Sequence, residues 1–405
     1  MMNVCNKKIL MLAYHYPPAN NGGTVRPFQF AKYLPNFSYE PIIVTTSKFG
    51  NIKNEKNIHR YKDSNTKNET LFKKIKRKVL YELGFISSHQ TIWKKEVLLD
   101  IINIIQKEGI DIVWITFPPA ICFDIAIELK KKLDIPIISD FRDGYVYEPL
   151  KKENFIRSIA NKRIEQRIVD LSEHIITVSP SVTKYFKTTY GIDNVTTITN
   201  GYDNDLGAST ERKEGNNYRI VYTGRLSLSY KDQSIKSFIE ALVDIVNTES
   251  KIRVDFIIAG ELTKQELNYF RKKIPNNFQY RGLVTREESI ELQKQADLLL
   301  FSASSKRKSI ATTKLYEYIS VNRPIFALTK GTFAEDIIKS TRTGICLDPN
   351  DKSKVKIELS KIIEENTLDW FNPNFDEIEK YNRQVLTKKL ANIFDSILDG
   401  GSINE

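Results

Sequence analysis

TTKLYEYIS, residues 312 to 320, follows the apolar run ADLLLFS (296–302) and precedes a second one, RPIFALT (323–329). Leu315 and Ile319 stand four apart, which puts them on one face of a helix, and Thr312 or Thr313 supplies its cap. The flanking runs are continuously apolar, as strands covered on both faces of a parallel sheet are. Together the three pieces read as one strand-helix-strand unit. In such units ligands gather beyond the carboxyl ends of the strands, where helix N-terminal amides and the macrodipole favour an anion. Lys314 adds positive charge there, and Glu317 lies in the first turns. The same residues also fit a plain capped helix that packs Leu315 and Ile319 on the sheet and leaves Glu317 in solvent.

Outward from this unit the pattern repeats in both directions. On either side stand RIVYTG (219–224), VDFIIAG (254–260), FQYRG (278–282) and GICLD (344–348). A second series lies upstream: KKILMLAY (7–14), PIIVTT (41–46), IDIVWIT (110–116), IPIISDF (135–141), HIITVS (174–179) and VTTIT (195–199). Helical patterns fall between most of them, at 119–133 and at 155–171, the latter with Phe155, Ile159, Ile164, Ile168 and Leu171 near one face. Alternation of this kind predicts an α/β protein with two Rossmann-like domains. The segment 206–217 has no apolar periodicity and reads as the linker. The expected division is therefore 1–205, linker 206–217, 218–376, and a C-terminal amphipathic helix with a frayed tail over 377–405.

Composition supports a folded chain: of 405 residues, 41% are hydrophobic and 27% charged. That length exceeds one ordinary core. Lys and Arg number 61 against 50 Asp and Glu, and the resulting +11 suggests an acidic partner such as nucleotide phosphates, an anionic membrane face or nucleic acid. Cys5, Cys122 and Cys346 are odd in number and widely spaced, so neither a disulfide framework nor a zinc cluster is indicated and a reducing cytosol fits. No apolar run reaches the roughly 18 residues of a spanning helix. The short apolar run near the start leads into YHYPPANNGG without a small-residue cleavage site, and reads as the first strand.

Residues 71–95, LFKKIKRKVLYELGFISSHQTIWKK, interleave Leu71, Phe72, Ile75, Val79, Leu80 and Leu83 with a basic run. Two readings stand side by side: a helix lying in an anionic membrane interface through 71–83, or a surface helix that buries its apolar side on the domain and solvates its lysines.

Three loops can carry chemistry. Gly22 and Gly23 follow the first strand and precede the helical run that begins near Arg26, so the backbone can approach a ligand; neither a dinucleotide fingerprint nor a P-loop is present. Asp140, Arg142 and Asp143 leave a strand end together, able to hold sugar hydroxyls or move a proton, or simply to fix a loop. Arg225 and Lys231 follow Gly224 at another strand end, where two cations can converge on a pyrophosphate without a metal. Asp203-Asn204-Asp205 spells a metal-binding triplet but follows Asn200-Gly201, and reads as turn chemistry. His15, His59, His89 and His174 show no paired ligand spacing, so no catalytic metal is expected.

In order along the chain, YPPANNGGTVR, DFRDGY, ITVSPSVTKYFKTTYG, ITNGYD, YTGRL, FIIAG, RGLVTREESIELQKQADLLLFS and KLYEYISVNRPIFAL resemble the family 4 glycosyltransferases of GT-B fold. The likeness spans nearly the whole chain. It implies two Rossmann-like domains facing across a cleft and retaining transfer from a nucleotide sugar, with the donor held mainly by the C-terminal domain and the acceptor by the N-terminal one. It further implies that Arg225 and Lys231 meet the donor pyrophosphate, that Glu317 holds the ribose hydroxyls, and that Gly22 and Gly23 line the diphosphate. Asp143 falls where the family contacts acceptor or donor sugar. Backbone amides of Ile310, Ala311, Thr312 and Thr313 would meet phosphate. The chain departs from the family where a first glutamate belongs eight positions before Glu317: Ser309 stands there, in a loop made basic by Lys306, Arg307 and Lys308.

The resemblance thus implies a nucleotide-sugar-dependent enzyme, UDP being the first expectation and GDP the next, acting on a glycan or lipid-linked acceptor of a bacterial surface polysaccharide. It would work in the cytoplasm, at the inner membrane face if 71–83 binds lipid, without a cofactor. A UDP-sugar epimerase or glycosyl phosphorylase of the same fold is the alternative. A non-catalytic membrane- or nucleic-acid-binding protein is the third reading, and the lack of an aromatic platform or nucleic-acid motif speaks against nucleic acid.

Overall fold

The computed structural model describes residues 7–52, 55–63, 70–83, 91–148, 153–203, 217–226, 235–247, 253–303, 308–309, 311–365 and 367–400. The chain divides into two compact units, Met1–Thr199 together with Arg383–Glu405, and Asn200–Asn382.

In the first unit the strands are Lys7–Leu12 (β1), Tyr39–Thr46 (β2), Ile58–Tyr61 (β3), Ile112–Phe117 (β4), Ile137–Phe141 (β5), His174–Thr177 (β6) and Val195–Thr197 (β7). They run parallel in the order β3-β2-β1-β4-β5-β6-β7. Period-two alternation sends their side chains to two cores. Leu10, Leu12, Val113 and Ile115 pack with Trp93, Val97 and Phe123 on one face, while Ile9, Met11, Trp114 and Ile138 pack with Phe30 on the other. Helices Val25–Tyr33 (α1), Leu71–Glu82 (α2), Thr91–Glu108 (α3), Ile121–Lys130 (α4), Phe155–Leu171 (α5) and Pro180–Tyr190 (α6) accompany this sheet.

The second unit repeats the plan with Asn217–Thr223 (β8), Arg253–Ala259 (β9), Phe278–Gly282 (β10), Leu298–Ser302 (β11), Ile325–Leu328 (β12) and Gly344–Leu347 (β13). Their order is β10-β9-β8-β11-β12-β13, again all parallel. Its helices are Lys236–Asn247 (α7), Lys264–Lys273 (α8), Arg286–Lys294 (α9), Thr313–Ser320 (α10), Phe333–Thr341 (α11), Lys352–Glu364 (α12) and Phe375–Glu379 (α13). In each unit strand order reverses at the first strand, β1 between β2 and β4 and β8 between β9 and β11. Ligands of open α/β sheets bind beyond the carboxyl ends at such reversals.

Three expectations change. The C-terminal helix, Arg383–Leu398 (α14), is not an appendix: Leu386, Leu390, Ile393 and Phe394 are buried in the first unit's core with Ile9 and Met11. Phe375–Glu379 stays in the second unit, so the segment 377–405 is shared between the two, and the boundary falls after Thr199 instead of at 205. Of the expected linker 206–217, only Asn217 lies within the described residues, and it already begins β8. The face expected to bury Phe155 and Ile159 does so only from Ile164 onward: Phe155 and Ile159 are exposed while Ile168 is fully buried.

Candidate functional site

The second unit assembles its edge around the β8–β11 reversal. Gly224 and Gly260, at the ends of β8 and β9, approach backbone to backbone, and a Cβ on Gly260 (φ 144°) would collide with the Gly224 carbonyl. Arg225 follows, half exposed, with its guanidinium ion-paired to Glu261. Lys314 Nζ lies 3.8 Å over the Tyr222 ring, a cation-π contact that carries its charge from α10 across to β8. The buried Tyr318 hydroxyl accepts from the Thr223 amide at 2.9 Å, which fixes α10 against the same strand end.

Thr312 precedes α10 in an extended conformation and makes no side-chain capping bond. Thr263, Thr285 and Thr332, ahead of α8, α9 and α11, each cap their helix through the hydroxyl. Thr312 thus leaves the first amides of α10 without a cap from its own hydroxyl, at the end of a helix whose dipole favours an anion. Ala311 is buried, and its carbonyl accepts from Asn200 Nδ2 at 3.5 Å. Ser309 is buried too, and the Lys308 carbonyl accepts from the Phe333 amide at 2.7 Å, tying the loop to α11. Lys231 and Ile310, like Lys306 and Arg307, lie outside the described residues.

Glu317 is largely buried rather than projecting into solvent. Arg286, in the first turn of α9, stands 3.7 Å from it through Nε and 2.8 Å from the buried Asp203 through a terminal nitrogen. Sequence reasoning missed Arg286. Its only signal was a place next to Thr285 at the head of a capping box, which reads as surface helix charge. Asp203, the first letter of the possible metal triplet, is committed to this arginine.

The first unit's edge, around the β1–β4 reversal, carries a separate group. The Gly23 amide donates to Asn21 Oδ1 at 2.9 Å, closing a tight turn. Arg142 is buried and donates to the carbonyls of Gly23 and, at 2.9 Å, Pro118. A Cβ on Gly23 would strike that guanidinium, whereas one on Gly22 would meet open space. Asp143 is half-buried next in sequence; burial lowers the Arg142 pKa, and the Asp143 charge partly offsets it. His15 pairs its Nδ1 with Asn21 Nδ2 at 3.2 Å. Burial, then the charges of Arg142 and Lys48, push its pKa down to about 4, so the ring is neutral at physiological pH. Asp140 and Arg26 are taken up by one another: the fully buried carboxylate meets the guanidinium at 2.6 Å and accepts from Thr116 Oγ1 at 2.9 Å, which makes the pair an internal brace.

The structure therefore gathers Arg225, Ala311, Thr312, Thr313 and Glu317, with Lys314 and Arg286, at the second unit's edge. Gly22, Gly23 and Asp143 join His15 and Arg142 at the first unit's edge.

Comparison with known proteins agrees with this fold. The family model described as Glycosyltransferase Family 4 matches residues 20–206, and that described as Glycosyl transferases group 1 matches residues 217–365. Among solved structures, a sucrose-phosphate synthase from Thermosynechococcus elongatus superposes with a TM-score of 0.69 at 11% identity, over 98% of this chain and 100% of its own. A glycosyltransferase from Rickettsia africae gives 0.65 at 16% identity, over 98% and 100%. The Anabaena protein HepE, in complex with UDP-glucose, gives 0.65 at 12% identity, over 96% and 99%. At these identities the likeness speaks for the GT-B fold alone. No curated protein matches the sequence.

Proposed function

Because the chain belongs to the family 4 glycosyltransferases, we propose that it moves a hexosyl group from a UDP-sugar, with retention, to a glycan or lipid-linked acceptor in bacterial surface polysaccharide synthesis. One observation carries the donor side of this reading: Arg225, Lys314 and the N-terminus of α10, where Thr312 makes no side-chain cap, stand at the carboxyl edge of β8 and β11. Positive charge and amide donors so placed suit a pyrophosphate.

As the nucleoside diphosphate departs, negative charge grows on its phosphates while the sugar becomes oxocarbenium-like. Preorganised donors aimed at that growing charge lower the barrier more than they tighten the ground state. In this reading Arg225, already oriented by Glu261, and Lys231 neutralise the leaving group, and the amides of Ile310 to Thr313 complete the cradle. Glu317, steadied by Arg286, accepts from the ribose hydroxyls. For retention the leaving phosphate takes the acceptor proton on the face it vacates, so the scheme asks for no strong base. Asp143 and the neutral His15 then serve as hydrogen-bond partners for sugar hydroxyls. The scheme uses no catalytic metal.

The test is a thermal-shift series with UDP, GDP and UDP-hexoses, followed by product analysis with and without acceptor. UDP at 100 times its Kd should add about 2.7 kcal/mol of apparent stability. Absence of a shift with every nucleotide would reject the reading, and acceptor-free interconversion of UDP-sugars would replace it with epimerisation.

A further inference from the structure

Helix Leu71–Glu82 turns its apolar stripe away from the protein. Phe72, Ile75, Val79 and Leu83 recur at three- and four-residue spacing on one face, and all are exposed, Phe72 to 77%. The packed-helix reading of this segment would have buried them. The helix is held near its C-terminal end instead: Arg157 lies 4.1 Å from the centre of the Tyr81 ring and donates to the Tyr81 carbonyl at 3.3 Å, while Asn154 donates to the Glu82 carbonyl at 3.2 Å. Those bonds set the start of α5 beside the last turn of α2. Phe155, 79% exposed, and Ile156 and Ile159 add exposed apolar side chains on the turns of α5 nearest that contact.

The rim is cationic. Residues 71–81 contain no acidic side chain, and Lys74, Lys76 and Lys78 are exposed. Helical spacing places Lys76 on one border of the stripe and Lys78 on the other, with Lys74 one turn before Lys78 and further round the helix. Protein interfaces are depleted in lysine, whereas helices that lie on anionic bilayers combine a lysine-bearing face with Phe and Leu on the other. No helix among the described residues is long and apolar enough to cross a membrane, so contact through this surface would be peripheral.

We propose that α2 and the first turn of α5 form one docking surface for an anionic lipid bilayer, with Phe72, Ile75, Val79, Leu83 and Phe155 at the headgroup-acyl boundary and the three lysines among lipid phosphates. The surface acts independently of the donor reading, and would hold the first unit at a membrane whether or not its acceptor is lipid-linked.

The experiment is co-sedimentation of the full chain with vesicles of phosphatidylglycerol and phosphatidylcholine, against phosphatidylcholine alone, at low and high salt. Binding should require phosphatidylglycerol and weaken with salt. K74E/K76E/K78E should lower the partition coefficient by about 100-fold, each basic contact contributing roughly a factor of five. Phe72→Ser with Phe155→Ser should lower it by at least ~10-fold. Both variants alter exposed side chains and should keep the wild-type melting temperature; if the phenylalanine pair does not, the lysine variant decides alone. Absence of wild-type binding, equal binding to neutral vesicles, or a lysine variant that binds as wild type would overturn the proposal. So would self-association that Phe72→Ser abolishes in a protein that ignores vesicles, since the patch would then be a protein interface.

Discussion

Arg286 serves two carboxylates at once, donating to Asp203 from a terminal nitrogen at 2.8 Å and facing Glu317 from Nε at 3.7 Å. Only a forked guanidinium can do both, so Arg286→Lys should behave much like Arg286→Ala. If Glu317 reads the donor ribose, either change should raise KM for the nucleotide sugar ~10-fold with kcat nearly unchanged, the pattern of lost uniform binding. Because Asp203 is only 2% exposed and would lose this partner, the accompanying stability loss should exceed that of a surface pair and reach about 3 kcal/mol, measured by denaturant melts. Arg225→Ala should instead depress kcat/KM and UDP affinity together, and unchanged values of both, by calorimetry and initial rates, would remove Arg225 from the site. At this scale the places of Arg225 after a strand end and of Glu317 in the first turns of a helix were legible, because strand ends and helix starts announce themselves in sequence. Arg286 was not, because its partners are distant in the chain and only the fold brings them near. Arg26 shows the converse: a cation beside a glycine pair looks available until the sheet supplies Asp140.

Buried parallel strands are the elements that sequence reads best, because both faces must be apolar and the run is unbroken. Tyr39–Thr46 and Leu298–Ser302 appear in the structure almost as read. Ile58–Tyr61 escaped because an edge strand of four half-exposed residues carries no such run. The C-terminal helix was legible as a helix but not as part of the first unit, since amphipathicity reveals that a face will be covered and not what covers it. Here the cover is the sheet face of Ile9 and Met11 with Tyr39, whose ring meets Phe394 edge-on at 5.1 Å between centroids. Phe394→Ala should therefore cost the first unit about 3–5 kcal/mol, the usual cost of emptying a buried phenylalanine site. Urea unfolding followed through Trp114, which lies in the same core, should show the shift, and a loss below ~1 kcal/mol would mean that α14 is dispensable to that core.

Across the whole molecule the charge balance makes acid the informative stress. His15 and His174 are both held near a pKa of about 4, in each case chiefly by burial, against about 6.5 in an unfolded chain. Between those values the unfolded state binds more protons, so stability is fully present above pH ~6.5 and falls as pH drops toward 4. At pH 5 each ring should account for about 2 kcal/mol of lost stability, together a large share of a typical 5–15 kcal/mol. Glu165 opposes them: burial raises its carboxyl pKa despite bonds from Tyr185, Tyr190 and the Val146 amide, so protonation on acidification favours the folded state. His174, whose Nε2 pairs with Thr196 Oγ1 at 2.9 Å, sits outside the candidate site, so it isolates the effect from ligand binding. Denaturant melts at pH 7 and pH 5 should lose about 2 kcal/mol less between the two pH values in His174→Gln than in wild type. Equal losses in both proteins would show that His174 titrates alike in the folded and unfolded chain, its burial being relieved by solvent.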